Sequence, residues 1–401
     1  MKIEIGESSS GPCRGLRVLE FATMVSGPFA GQMLADLGAE VIKVEPTTGD
    51  PLRGVQPSRK GVAAGFAQFN RNKKSIGIDL KSSKGSALAR ELALASDVLI
   101  ENFRPDVMQR LGLDYENLRK DNPRLIYVSI SGFGVDGPYA ARPAYDHVIQ
   151  AMSGTMPAFG SKEQPAPIRN SIADKVTAIT AANAVLAALV CRERQGGQGQ
   201  KVSLSLLDSY SAFMLPDLMV DHFFQDGDGA RETAPVPHTY YSVPVADGFV
   251  MGHIHTDAQF RGLCRLFERE DLLDDQRFAD TKSRRTNYGA MWEEMKPTAS
   301  EMPTALIVEL AEKFSVPIGR VNDMGDFFDD PQVKHNRTYF DSEDLGLGTI
   351  RQLSYPVRFE KSPVGYRRRA PSLGEDTREI LKEFGKTEEE VADAFKTNVV
   401  A

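Results

Sequence analysis

The sequence predicts a two-domain α/β protein, with a large open sheet wrapped by helices and a smaller α+β domain. Three observations carry this. Strand-like and helix-like segments alternate from Leu16 to Ser131, as expected of parallel βαβ units. A stretch rich in Gly, Pro and acids, Gln225 to Pro237, reads as a linker. Beyond it the alternation is lost, and Ala246-Asp247-Gly248 gives a hairpin signal instead. A chain of 401 residues also exceeds a single typical core.

Each element follows from local pattern. Leu16 to Phe21 (LRVLEF) reads as a strand, and the loop Ala22 to Gly27 follows it. Pro28 opens a helix through Leu37, where a missing N–H costs nothing, and Gly38 closes it. Glu40 to Glu45 is the next strand, completing a right-handed parallel unit. The alternation continues with a strand at Ser75 to Asp79, a helix at Lys84 to Ala95 and a strand at Val98 to Glu101. A helix near Pro105 to Leu111 leads to a strand at Leu125 to Ser131. The Ala-rich run Ile179 to Val190 is a strong helix former. Ser171 and Asp174 have capping-box spacing at its start, while Arg192, Arg194, Gly196 and Gly197 end it. A strand at Lys201 to Leu206 and an apolar helix at Leu207 to Phe224 complete a Rossmann-like half. The large domain is thus expected over residues 1–224, the linker over 225–237 and the small domain over 238–333. Thr239 to Val245 and Phe249 to Ile254 form a strand pair in the latter, and Pro371 to Lys396 carries two amphipathic helices.

Composition narrows the function. A hydrophobic share of 41% and a charged share of 26% are ordinary for a globular protein. A net charge of -7 argues against non-specific nucleic-acid binding. The three cysteines lack paired spacing, which fits a reducing cytoplasm and no cysteine metal site. The N-terminus lacks the apolar core of a signal peptide, and no run suggests a membrane span. A cytoplasmic protein is expected.

Several motifs invite chemistry. Gly132-Phe133-Gly134-Val135-Asp136-Gly137 matches a dinucleotide fingerprint, but Pro138 and Pro143 deny it the following helix. These glycines more simply let the backbone turn above the sheet edge, where ligands bind in such folds. His253 and His255 could offer two metal ligands, yet no third is placed beside them, so no metal is expected. The basic run Asn70 to Lys74, with Lys43, Arg104 and Arg110, suits a phosphate-rich ligand if strand ends gather it; singly, each is an ordinary surface charge. Asp174 lies in the first turn of a long helix, where a cap is the simple reading. Helix amides there favour the ionised form, so the carboxylate is expected to be charged at neutral pH and capable of attacking an activated acyl group.

Several stretches together carry a resemblance. GLRVLEFATMVSGPFAGQMLADLGAEVIKVE, NRNKKSIGIDLK, LIENFRPDVMQRLGLDYENL, PRLIYVSISGFGVDGPYAARPAYD, SIADK, VPIGRVN and APSLGEDTREIL are similar to segments of the class III CoA-transferase family. That family includes formyl-CoA and carnitine CoA-transferases and the 2-methylacyl-CoA racemases. The resemblance spans nearly the whole chain in order. It implies an interlocked homodimer in which residues 334–401 return to complete the large domain. It further implies that Asp174 is the catalytic aspartate, that Tyr145 and Asp146 line the same site, and that Thr23 to Gly27 closes on the thioester. Lys74, Arg104 and Arg110 fall in the region holding the nucleotide phosphates of CoA. Val25 stands where one member has glutamine, and Met251 to Thr256 replaces a glycine loop, which leaves the acyl substrate open.

The implied activity is an acyl-CoA:carboxylate CoA-transferase, passing through an aspartyl anhydride and an aspartyl-CoA thioester. Acyl-CoA and a carboxylic acid would be its substrates, with no tightly bound cofactor. Racemisation on the same fold is the alternative. It needs acid–base groups on both faces of Cα, and Tyr145 stands where family racemases have histidine; His147 lies two residues on. A non-catalytic CoA-binding protein is a third reading, and the intact Asp174 motif speaks against it.

Overall fold

The structure is a computed structural model and describes residues 10–60, 62–225, 241–344 and 346–401. It divides into two compact units, Met1–Leu218 with Asn336–Ala401, and Met219–His335. Most of the expected linker, residues 226–237, lies outside the described residues.

The larger unit is built on six strands: β1 (Arg17–Phe21), β2 (Glu40–Glu45), β3 (Lys73–Gly77), β4 (Val98–Glu101), β5 (Ile126–Ser131) and β6 (Lys201–Ser205). Every pairing is parallel, and the order is β3-β2-β1-β4-β5-β6. The order reverses between β1 and β4, which opens a crevice at their carboxyl ends. Both faces are buried. Val18, Ile100, Ile126 and Val128 face one apolar cluster, and Leu19, Leu99 and Tyr127 face the other.

The first face is covered by α1 (Ser26–Asp36), α5 (Ile172–Arg194) and α6 (Leu206–Leu218). Within the described residues α5 is long and apolar enough to cross a membrane, contrary to the sequence expectation of no such run. Ala173, Ala178, Ala181 and Val185 are nevertheless fully buried in the core, which marks a core helix. The second face is covered by α2 (Ser83–Leu94) and by the returning segment, whose Ile380, Leu381, Val391, Val399 and Val400 complete that cluster. Two short helices complete the elements used below, α3 (Val107–Arg110) and α4 (Asp146–Met152).

Two boundaries differ for a physical reason. β3 begins at Lys73 rather than Ser75, because the buried Glu20 carboxylate pairs with the Lys73 ammonium and admits it to the sheet. α1 begins at Ser26, two residues before Pro28, so the loop after β1 is shorter than expected.

The smaller unit has a three-stranded antiparallel sheet, Ser242–Val245, Gly248–Gly252 and Ile318–Arg320. Its core gathers Trp292, Tyr288, Met291, Met295 and Phe260. The helix after the strand pair opens with a capping box, Thr256 with Gln259.

Candidate active site

A cleft of about 490 Å³ opens at the carboxyl ends of β1, β4 and β5. Thr23, Met24 and Ser26 line one side, Asn102 and Arg104 another, and Gly132, Arg142, Tyr145 and Asp174 the rest. The glycines that mimic a dinucleotide fingerprint turn the chain here. Gly132 touches the cleft, and a Cβ on it would meet the Ala144 Cβ at 2.2 Å. Gly134 and Gly137 adopt φ of +113° and +86°, which disfavours other residues.

Asp174 lies in the first turn of α5, with its carboxylate in the cleft. The expected capping box does not form, since the Ser171 side chain makes no cap hydrogen bond. The cap comes from Asp146 instead. Its Oδ2 accepts from the amides of Ala173 (2.7 Å) and Asp174 (3.1 Å), and its Oδ1 accepts from Gln150 Nε2 (2.6 Å). Asp146 is thus a buried positioning residue that fixes the start of α5, rather than a side chain lining the cleft. The substitution of roles follows from α4, which ends an irregular loop directly beside the α5 N-terminus.

The Asp174 titration is shifted in the direction opposite to that expected from the helix amides. Burial, then repulsion from Asp146, raises its carboxyl to about 6, against partial opposition from the Ser26 hydroxyl and amide and from His147. Helix dipoles alone would have lowered it; desolvation wins. The charged form is still the major one at neutral pH, but with little margin.

The loop facing Asp174 is tightly held. Asn102 Oδ1 accepts from the Thr23 amide (3.0 Å), and Asn102 Nδ2 donates to the Thr23 carbonyl (2.8 Å). Met24 sits at φ +66°, a strained value for a non-glycine residue. Ser26 heads α1, where first-turn amides have no intrahelical acceptor.

Other expected site residues are placed differently. Tyr145 is in the cleft and 67% exposed. Arg104 lines both this cleft and an adjoining cavity of about 300 Å³ that contains Glu101, Tyr127 and Lys201. Arg110 is exposed in the last turn of α3 and lines neither. Val25 is buried against Leu52, Phe66 and Ala370, so its side chain points away from the cleft. Lys43 is fully buried and held by Glu20 (3.1 Å), Asp50 (3.0 Å) and the Ala22 carbonyl (2.6 Å), which leaves no face for a phosphate. Lys74 lies at the amino-terminal end of β3, away from the crevice, and pairs with Glu40 (2.8 Å) and Glu379 (2.9 Å). Both lysines are removed from a phosphate site by carboxylates distant in sequence. His253 and His255 are exposed in the smaller unit, their rings stacked 6.4 Å apart. Sequence reasoning missed Asn102, Asp50 and Arg142. Only their neighbourhood, beside ENFRP, TGDP and AARPAYD, pointed to them.

Comparison with known proteins places the chain in a family. A model of CoA-transferase family III matches residues 13–377. The chain belongs to that family. It is 38% identical to the succinate–glutarate CoA-transferase of Agrobacterium fabrum, across 93% of this chain and 96% of that protein. It is 33% identical to the succinyl-CoA:glutarate CoA-transferase of Mus musculus, across 94% and 87%. A crystal structure of a CAIB/BAIF family protein from Brucella suis superposes with a TM-score of 0.81 at 35% identity, covering 94% of this chain and all of that one. The chain is therefore a CoA-transferase acting on CoA thioesters, and racemisation is not favoured.

Proposed function

We propose that Asp174 is the nucleophile of a CoA transfer between dicarboxylic acids. The observation that carries this is a single carboxylate, held at the start of α5 and opening into the cleft, with the hydroxyl and amide of Ser26 facing it. An Asp174 oxygen attacks the thioester carbonyl carbon, the C–S bond breaks, and CoA leaves as thiolate. The thiolate then attacks the carboxyl carbon of Asp174 in the mixed anhydride. The C–O bond breaks, the donor acid departs, and CoA remains on Asp174 as a thioester. An acceptor carboxylate reverses both steps.

The second attack places negative charge on the Asp174 oxygen itself. Ser26 lines the same cleft, and its hydroxyl and amide favour the charged form of Asp174, so they stabilise the charge as it develops. Asp146 keeps the helix start in register, and Tyr145 lies at the mouth of the cleft. Arg104, which lines both the cleft and the adjoining cavity, holds the CoA phosphates, and Arg110, exposed on α3 outside both, adds its charge from solvent; the adjoining cavity carries Glu101, Asp106, Asp114 and Glu116 beside Arg104 and Lys201. Arg142 offers a cation to the second carboxylate of a dicarboxylic substrate, a class supported by the succinate and glutarate in the relatives' names. The working form is a homodimer in the cytoplasm.

Mixing the protein with succinyl-CoA and no acceptor, then digesting it, tests the nucleophile. Mass spectrometry is expected to find CoA on the peptide bearing Asp174, and Asp174→Ala to show no adduct and no transfer to glutarate. A CoA adduct elsewhere, or transfer by Asp174→Ala, would overturn the assignment.

A further inference from the structure

Beneath the cleft loop lies a buried group of charges that the transfer chemistry does not use. Glu20, Lys43 and Lys73 are 0% exposed and Asp50 is 2% exposed. Glu20 pairs with both lysines, at 3.1 Å to Lys43 and 2.8 Å to Lys73, and Lys43 pairs with Asp50 at 3.0 Å. The two acids and two bases cancel. Buried ion pairs contribute little net stability over apolar side chains of the same volume. What they supply is direction, and here the remaining hydrogen bonds go to one stretch of backbone.

Lys43 Nζ donates to the Ala22 carbonyl at 2.6 Å, just before the loop. Asp50 Oδ1 accepts from the Met24 amide at 3.4 Å, within the loop, and from the Leu52 amide at 2.9 Å. Lys73 Nζ donates to the Pro28 carbonyl at 2.7 Å, just after the loop. The segment is thus gripped before, within and after the residues facing Asp174. Helix α1 rests directly on this floor, since a Cβ on Gly31 would lie 2.0 Å from Glu20 Oε2. Met24 at φ +66° needs such restraint, because a strained residue persists only where its surroundings over-determine it.

We propose that Glu20, Lys43, Asp50 and Lys73 are positioning residues that hold the Thr23–Ser26 segment so that the Ser26 donors meet Asp174. The inference rests on Asp174 being the nucleophile. None of the four touches substrate; they act through the loop backbone.

The charge-neutral double variant Lys43→Met/Asp50→Leu removes two of the grips without stranding a charge. Its kcat is expected to fall about a hundredfold, as for a small misplacement of reacting groups, with KM for acyl-CoA within about twofold. The acid limb of the kcat–pH profile is expected to move upward, because Asp174 loses the donors that favour its charged form. A purely structural role would lower the active fraction and leave that limb in place. The second neutral pair, Glu20→Gln/Lys73→Met, removes the grip on the Pro28 carbonyl and is expected to move the limb in the same direction; it decides the matter if the first double variant does not fold. An unmoved limb in a folded variant overturns the proposal. Asp174→Ala is assayed alongside. Activity in that variant sinks the nucleophile itself, whereas an inactive Asp174→Ala beside an unperturbed double variant sinks only the positioning role.

Discussion

Asp174 is held in a form that works against the fold. Its carboxyl titrates near 6 in the native protein, above the ordinary 3.8. Between those values the folded chain keeps a proton that the unfolded chain releases. The favourable contribution is therefore complete below about pH 4 and lost as pH rises through 6. Above that, the charged group costs about 1–3 kcal/mol. Asp174→Asn is expected to melt higher than wild type at pH 8 and near it at pH 4, as calorimetry at the two values will show. A second contrast concerns cations. Arg104→Ala is expected to raise KM for acyl-CoA about tenfold with kcat little changed. Lys74→Ala should leave KM alone and cost at most about 1 kcal/mol, since its partners are partly solvated carboxylates. Steady-state kinetics and urea unfolding separate the two. The sequence showed Lys43 and Lys74 as cations near strands but could not show their partners. Glu20 is 23 residues from Lys43, and Glu379 is 305 residues from Lys74 (379 − 74).

At the scale of elements, α4 and α5 act as one unit through Asp146. Asp146→Asn retains an oxygen for the Ala173 and Asp174 amides yet removes the charge that repels Asp174. The acid limb of kcat is expected to shift below about pH 6, toward the ordinary carboxylate range. Asp146→Ala also loses the cap, at about 1–2 kcal/mol. A kcat–pH profile that stays put in Asp146→Asn would show that burial alone sets the Asp174 titration. Local pattern sufficed for elements whose periodicity is self-contained. The strands Glu40–Glu45 and Val98–Glu101 lie where the alternation of strands with helices put them, and α5 lies around its Ala-rich run. It failed where a distant group supplies what local chemistry lacks. Ser171 has the spacing of a cap, but Asp146 takes that role across the fold. Lys73 looks like a loop residue until Glu20 brings it into the sheet.

For the whole molecule, the proposed homodimer predicts a solution mass twice the 44.1 kDa of the chain; light scattering at micromolar concentration that gives a monomer would contradict it. The return of the C-terminal segment to the first unit was visible only through family resemblance, because no periodicity reports which core a helix joins. Its Ile380 and Val391 are apolar in pattern, yet only the fold shows that they close the second face of the sheet. The floor beneath the cleft loop bears on how such a protein can change its diet. Its grips on the loop fall on backbone atoms, at Ala22, Met24 and Pro28. Placement of the reacting groups is therefore written into Glu20, Lys43, Asp50 and Lys73, while Thr23 and Met24 line the cleft and their side chains carry none of these grips. A randomised library confined to Thr23 and Met24, sparing β-branched residues at the strained second position, can sample new acyl groups without resetting the chemistry. A library at the floor would sample mostly broken loops.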